Sequence, residues 1–351
     1  MTSLRLKFHA PDTSSKTGNW LQLALILSAT VGIVSAASHG SIRWLKIKAS
    51  WGGFHGYGQS NMAARTILHG SSVAYAGIDW TGVSEALGQP IACWATPGST
   101  PSEWEQMHRR APEVTTTFLV VSPSDLNEYS LCDSRAAIVP LATTIRDLWE
   151  VHTDLPLCKK ILTQYPLSLV RLLFPTAGRS DGVMVGVRSK LQKLVGGGSK
   201  PDQGAAPIFD YSHKSEDKEK VSDWSEARLQ RRLNMTRRDS DGRYSFIGSK
   251  QLAVRRLTQQ ARHQGQVLLI VMPLPPVYKK EFLPESVMRE FENALADVMS
   301  HCPEAQIIRI DRLPKLNNDD LYSDQFHMNM YGQQIATEAV LSRLKALGIL
   351  P

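Results

Sequence analysis

Five short apolar runs, separated by segments with helical periodicity, constrain the fold more than any other feature of this chain. Each run is apolar on both faces, as interior strands of a parallel sheet are, and such a sheet needs helices to cover it. The alternation therefore predicts an α/β fold. The predicted strands are 65–69, 90–95, 116–121, 266–272 and 306–310, and the predicted helices are 79–87, 101–109, 250–263, 285–300 and 329–347.

A long insertion divides the predicted sheet between its third and fourth strands. Within it, the glycine-rich stretch 196–207 predicts a flexible linker, and 212–245 predicts a basic helical stretch. The chain is therefore expected to divide into a short tail at 1–19, a hydrophobic segment at 20–38, a linker at 39–63, a core in two parts at 64–139 and 246–351, and the insertion at 140–245.

The hydrophobic segment from Trp20 to Ala37 is eighteen residues long and carries no charge. That length is at the lower limit for a membrane-spanning helix, and Val34-Ser35-Ala36 also resembles a signal-peptide cleavage site. Basic residues lie on both sides, so the positive-inside rule gives no orientation. We expect a membrane anchor, or a cleaved signal, with the remainder exported to the periplasm or cell surface. A buried helix of a soluble domain is the alternative.

The formal net charge of +7 is concentrated in residues 212–262, where thirteen Lys and Arg stand against seven Asp and Glu. A basic stretch of this kind binds nucleic acid or anionic lipid in some proteins and is a solvated helix face in most. No aromatic-rich motif or zinc-finger spacing accompanies it, so no nucleic-acid partner is expected. A composition of 42% hydrophobic and 21% charged residues excludes a disordered chain and a polytopic membrane protein.

Four cysteines, Cys93, Cys132, Cys158 and Cys302, form neither a CxxC pair nor a metal-ligand pattern. They predict free thiols, with one Cys132–Cys158 bridge as the alternative. Because no cluster of histidines and carboxylates has ligand spacing either, we expect no metal and no organic cofactor.

Functional groups of an open parallel sheet gather on loops at the carboxyl ends of its strands. The first such loop is Gly70-Ser71-Ser72, where a serine either caps the next helix or serves as a nucleophile. The second contains Gly98, which lets a backbone N–H approach a charged oxygen or merely makes a turn. The third, Ser122-Pro123-Ser124-Asp125, carries short polar side chains that bond within the loop or donate to an oxyanion.

The strongest single signal follows the last predicted strand, where Asp324 precedes His327 by three residues on one loop. A carboxylate so placed holds an imidazole in one tautomer and stabilises its charged form. The alternatives are half of a metal site or a loop histidine without a role.

Together these loops resemble the SGNH (GDSL-type) hydrolases, over residues 67–347 without the insertion. The family's Gly-Asp-Ser block corresponds to Gly70-Ser71-Ser72, its second-block glycine to Gly98, and its DxxH pair to Asp324 and His327. The run that begins at Gly70 is similar to the membrane-anchored, cell-envelope branch, which includes the D-alanine-transfer protein of lipoteichoic acid modification.

The resemblance implies a flavodoxin-like three-layer parallel sheet and a catalytic serine at Ser72, served by Asp324 and His327. It implies an oxyanion hole made by Ser72, Gly98 and the third block. That block is G-x-N-D in the family, and here Ser124 replaces its asparagine, so either Ser124 or Asn127 is expected to donate the hydrogen bond.

A competing nucleophile is Ser60, in the run Gly58-Gln59-Ser60-Asn61-Met62, which resembles a block of sialate-type carbohydrate esterases. That block should follow a hydrophobic strand, and residues 51–57 are not one. Ser72 follows a predicted strand and is preferred, with Ser60 as the alternative.

The expected function is that of a serine esterase or O-acyltransferase acting through an acyl-serine. Its expected partners are an O-acylated cell-envelope glycan or a small ester, the membrane, and a membrane-bound acyltransferase. The alternatives are a catalytically weak or inactive accessory protein on the same fold, and a protein that binds anionic lipid through its basic stretch.

Overall fold

The computed structural model describes the ranges 25–37, 64–95, 98–109, 111, 113–130, 141–153, 155, 158–159, 218–240 and 242–350. The chain divides into two compact units, one of Met1–Lys48 with Leu169–Ser199 and the other of Ala49–Ser168 with Lys200–Pro351. In the first unit, residues 25–37, part of the expected anchor, form helix α1. No helix in the described ranges has both the length and the apolarity to cross a membrane.

The second unit is built on a five-stranded sheet in which every pairing is parallel. This confirms the predicted α/β class and all five predicted strands. The strands lie in the order β2-β1-β3-β4-β5, which is the order of flavodoxin-like doubly wound sheets. They are β1 (Thr66–His69), β2 (Ile91–Cys93), β3 (Thr116–Val121), β4 (Gln266–Val271) and β5 (Gln306–Arg309).

Helices occupy the connections between strands, and the five predicted ones are present with no end shifted by more than one residue. Those five are α3 (Trp80–Leu87), α4 (Pro101–His108), α8 (Ser249–Gln264), α10 (Glu285–Ser300) and α11 (Met330–Ala346). Three short helices were not predicted, because they are too brief for a periodic pattern: α2 (Ser72–Gly77), α5 (Pro123–Leu126) and α9 (Pro276–Phe282). Short 3-10 turns lie at Ile310–Arg312, Pro314–Leu316 and Asp319–Leu321.

Two hydrophobic cores flank the sheet, because alternate residues of each strand point to opposite faces. Phe118 and Leu268 pack on one face, with α2, α3 and α11. Leu119 and Leu269 pack on the other, with α4, α8 and α10. The central strands are therefore buried on both sides, which explains why the sequence shows unbroken apolar runs there rather than an alternating pattern.

The described part of the insertion contains α6 (Leu141–Glu150), a 3-10 turn at Val221–Asp223 and helix α7 (Glu226–Asp239). Helix α7 agrees with the predicted basic helical stretch. The predicted linker at 196–207 lies outside the described residues. Of the cysteines, Cys93, Cys158 and Cys302 are free thiols, and Cys132 lies outside the described residues.

Candidate active site

A cleft opens beyond the carboxyl ends of β1 and β3, and its volume is about 660 Å³ when the open mouth is included. Because β2 and β3 lie on opposite sides of β1, the chain changes direction here, and ligand sites of open α/β sheets form at such a point. Four residues predicted from sequence line this one cleft: Ser72, Gly98, Ser124 and Asn127.

The loop after β1 places Ser72 at the first position of helix α2. Ser71 caps that helix, and its Oγ accepts a hydrogen bond from the N–H of Val73 at 3.2 Å. Gly70 allows the tight turn, since a Cβ atom there would lie 2.3 Å from the Cβ of Ala74. Ser72 is half-buried, and its hydroxyl forms no hydrogen bond with another described residue. That hydroxyl is therefore available to a ligand.

The loop after β2 reaches the cleft through Gly98, whose φ of +68° is in the left-handed region that favours glycine. The next residue ties this loop to the first one, because Ser99 Oγ donates to the carbonyl oxygen of Gly70 at 2.9 Å. The indole N–H of Trp104 donates in turn to Ser99 Oγ at 2.8 Å. Among the described residues, the N–H groups of Ser72 and Gly98 have no acceptor.

The loop after β3 is organised by the carboxylate of the half-buried residue Asp125, which accepts from the backbone at the start of helix α5. Its Oδ2 accepts from the N–H of Ser122 at 2.8 Å and from the hydroxyl of Ser122 at 2.6 Å. Ser124 Oγ lies 2.7 Å from Ser122 Oγ. Burial raises the pKa of Asp125, although hydrogen bonds from Ser122, the side chain of Ser71 and the Lys250 ammonium act in the opposite direction.

Asn127 lines the cleft, but its side-chain amide forms hydrogen bonds with backbone groups of the protein. Its Nδ2 donates to the carbonyl oxygen of Arg243 at 3.2 Å, and its Oδ1 accepts from the N–H groups of Tyr129 and Ser245, each at 3.2 Å. The side chain thus holds the third loop against residues 243–245 and would have to break these contacts to donate into the cleft.

Asp324 and His327 form a hydrogen-bonded pair, with His327 Nδ1 and Asp324 Oδ2 at 2.7 Å. The other carboxylate oxygen accepts from the N–H groups of Phe326 at 2.7 Å and His327 at 2.8 Å. Burial opposes ionisation of Asp324, but the hydrogen bonds and the His327 ring outweigh it and lower the pKa of this carboxyl. The carboxylate therefore stays charged while it orients the imidazole.

The free ring nitrogen of His327, Nε2, is buried and has no hydrogen-bond partner among the described residues. Phe326, immediately before it, lines the cleft, whereas His327 itself does not. No hydrogen bond joins Ser72 to His327 in this structure. In unliganded enzymes such a bond is often long or misaligned and tightens when substrate binds.

Several cleft residues were missed from the sequence because they come from distant elements. Lys250 is almost completely buried and donates through Nζ to the carbonyl oxygen of Asn127 at 2.7 Å. Tyr278 and Tyr244 meet through their hydroxyls at 2.9 Å. No local pattern marks any of these residues as part of a site, since a lysine at a helix start and tyrosines near apolar runs are ordinary features.

The alternative nucleophile Ser60 lies outside the described residues. Across the described ranges, no group of three or more His, Cys, Asp or Glu side chains is placed to hold a metal ion.

Comparisons with known proteins add little to this geometry. No family model matches the chain, and no curated protein matches it. Among solved structures, a provisionally named platelet activating factor from Streptococcus pneumonia matches with 8% sequence identity and a TM-score of 0.35, over 88% of this chain and 98% of that one. A likeness of this strength indicates neither the fold nor the activity of this chain.

Proposed function

We propose that this protein is an SGNH-type serine esterase or O-acyltransferase that works through an acyl-serine on Ser72. The observation that carries the proposal is that the Ser72 hydroxyl and the His327 Nε2 atom both lack a hydrogen-bond partner among the described residues. The Ser72 hydroxyl faces the cleft without a partner, and the buried Nε2 of His327 is unpartnered while Asp324 holds Nδ1. A nucleophile, a base and an orienting carboxylate are the parts that acyl transfer needs.

In this mechanism His327 Nε2 takes the proton of Ser72 as its oxygen attacks the carbonyl carbon of an ester. The tetrahedral intermediate collapses, the imidazolium returns the proton to the leaving alcohol, and the acyl group remains on Ser72. Water or a second hydroxyl then attacks the acyl-serine, with His327 again as base. Water as acceptor makes the protein an esterase, and an alcohol as acceptor makes it an acyltransferase.

The N–H groups of Ser72 and Gly98 are the proposed donors to the oxyanion of that intermediate. Neither has an acceptor among the described residues, and the bond from Ser99 to Gly70 holds their two loops together. Loss of one such donor typically slows an enzyme by about 10²–10³-fold.

The proposed substrate is an O-acylated glycan of the cell envelope, with the chain held outside the cytoplasm by its N-terminal segment beside a membrane-bound acyltransferase. The cleft lining supports a carbohydrate, because hydroxyl side chains predominate in it and the half-buried ring of Phe326 offers an apolar surface.

A second candidate function is that of a weak or inactive accessory protein that binds the same glycan. Two observations favour it: no hydrogen bond joins Ser72 to His327, and the hydroxyl of Ser124 is engaged with Ser122. Both candidates predict binding to the cleft, and they differ in whether Ser72 is activated.

Labelling with a fluorophosphonate, followed by mass spectrometry of the intact protein, distinguishes the enzyme from the inactive accessory protein. We expect one adduct on the wild-type protein, its loss in Ser72→Ala and His327→Ala, and its retention in Ser60→Ala and in the distant control Ser84→Ala. A folded wild-type protein that takes up no probe would contradict the enzyme and leave the accessory protein. Loss of the adduct in Ser60→Ala alone would move the nucleophile to that residue.

A further inference from the structure

Asp125 organises the loop that carries Ser124 and lines the same cleft as Ser71 and Ser72. Its carboxylate accepts hydrogen bonds from the N–H and hydroxyl of Ser122, and the side chain of Ser71, the residue immediately before Ser72, also favours its ionised form and lowers its pKa. The Ser71 oxygen also accepts from Val73 and so caps the helix that begins at Ser72. The Asp125 carboxylate therefore fixes the third loop at the point where it meets the first loop in the cleft.

The direction of the hydrogen bonds in the third loop follows from counting protons. The single hydroxyl proton of Ser122 is donated to Asp125 over 2.6 Å. The contact between Ser122 Oγ and Ser124 Oγ, at 2.7 Å, still needs one donor. Since the Ser122 proton is already used, Ser124 must be that donor. This order holds while Asp125 is ionised: burial raises the pKa of this carboxyl, and the Ser122 donors and the Lys250 ammonium act in the opposite direction.

What Ser124 presents to the cleft is therefore an oxygen lone pair. Ser124 is half-buried and lines the cleft, so this oxygen is within reach of a ligand. A lone pair repels a developing oxyanion, but it accepts a hydrogen bond from a neutral hydroxyl. The direction of the Ser124 hydrogen bond thus distinguishes two roles that residue type alone leaves open: donor to an oxyanion, and acceptor from a hydroxyl.

We propose that Asp125 is a positioning residue that commits the Ser124 proton to Ser122, and that Ser124 is a specificity residue that accepts a hydrogen bond from a free hydroxyl of the glycan substrate. The inference rests on the proposed function for its substrate class. It differs from the sequence-based expectation, in which Ser124 donates to the oxyanion.

A binding experiment tests the role of Ser124 without any need for turnover. In a Ser72→Ala background, calorimetry would compare a methyl mono-O-acetylglucoside with its deoxy analogues, each lacking one hydroxyl. We expect Ser124→Ala to weaken binding of the parent glucoside about tenfold. One deoxy analogue should bind the Ser72→Ala protein about tenfold more weakly than the parent glucoside does. Replacement of Ser124 should not weaken the binding of that analogue further. Absence of binding, or no analogue coupled to Ser124, overturns the proposal.

The proton order has its own test, in the wild-type background with Ser72 present. Ser122→Ala keeps the backbone N–H that caps Asp125 but frees the Ser124 proton to reach an oxyanion. We expect fluorophosphonate labelling of Ser72 to become several-fold faster, while Ser84→Ala, which also loses one hydroxyl hydrogen bond, leaves the rate unchanged. An unchanged or slower rate in Ser122→Ala contradicts the proposed order, as does a fall of about 10²-fold in Ser124→Ala, which would identify Ser124 as an oxyanion donor.

The two tests separate the failure of this inference from the failure of the proposed function. If wild-type protein takes up no fluorophosphonate, the enzyme proposal fails, and the calorimetric comparison still decides whether Ser124 reads a hydroxyl. If labelling succeeds but no deoxy analogue couples to Ser124, the enzyme proposal stands and the specificity role is overturned.

Discussion

At the scale of single residues, the tautomer of His327 depends on one carboxylate. Asp324 uses one oxygen for the backbone N–H groups of Phe326 and His327 and the other for Nδ1 of the ring. A charged acceptor at Nδ1 requires a proton on that nitrogen. It therefore leaves Nε2 as the nitrogen with a free lone pair, the form that a general base needs.

Replacement of Asp324 by asparagine should reverse this arrangement while the loop stays folded. The amide oxygen still accepts from the two backbone N–H groups, but the amide nitrogen then donates to Nδ1 and places the ring proton on Nε2. We expect Asp324→Asn to slow fluorophosphonate labelling of Ser72 by about 10⁴-fold, the scale found for a triad carboxylate changed to its amide. The exposed control Asp223→Asn should label at the wild-type rate, and a loss below about tenfold in Asp324→Asn would exclude Asp324 from the mechanism.

At the scale of elements, a buried ion cluster joins helix α6 of the insertion to α4 and α8 of the core. Arg256 on α8 is 4% exposed and contacts Glu105 at 2.9 Å, Asp147 at 2.7 Å and Glu150 at 2.7 Å. Glu105 also pairs with Arg109 and Arg146. Helix α6 is thus attached by charges withdrawn from water, and such groups are costly when they lose a partner.

We expect Arg256→Met to lower the free energy of unfolding by about 3–5 kcal/mol, because it leaves buried carboxylates without their guanidinium. Urea denaturation measures this change. The matched control is Arg312→Met, since the Arg312 side chain is 62% exposed and pairs with Glu292 at 3.0 Å, and it should cost less than about 1 kcal/mol. Equal effects of the two substitutions would show that the cluster does not stabilise the fold.

At the scale of the whole molecule, two buried histidines make stability depend on pH. His69 Nε2 and His108 Nδ1 are 3.1 Å apart, and both side chains are fully buried. Burial lowers the pKa of His108 to about 4, and the side chain of Gln264 acts in the opposite direction. Burial, and then the neighbouring His108, lower the pKa of His69 well below its ordinary value.

Acid should therefore destabilise the fold in the range where only the unfolded chain takes up these protons. The stability that neutral His108 contributes is present above pH 6.5 and is lost as the pH falls from 6.5 to about 4, by about 3 kcal/mol for this residue. We expect His108→Gln to flatten the pH dependence of urea denaturation over that window. His301→Gln, at an exposed position, should keep the wild-type slope, and an unchanged slope in His108→Gln would contradict this account.

The sequence by itself determined the elements and the local pairings. The five strands were predictable because interior parallel strands are continuous apolar runs, and the longer helices because their periodicity spans several turns. The contact between Asp324 and His327 was predictable because it is local: a separation of three residues on one loop is enough to bring the carboxylate to the ring. Short helices such as α2 and α5 escaped prediction, because one turn carries no periodic pattern.

Only the tertiary structure decided which side chains share the cleft and which way their protons point. The strand order brings the loops after β1 and β3 together, and helix α8 supplies Lys250 from more than a hundred residues away in the chain. The same packing turns the amide of Asn127 towards residues 243–245 and sets Ser124 against Ser122 beside Asp125. Residue type determines which side-chain atoms can donate or accept a hydrogen bond. Contacts across the fold decide which of them are already used, and local sequence does not contain that information.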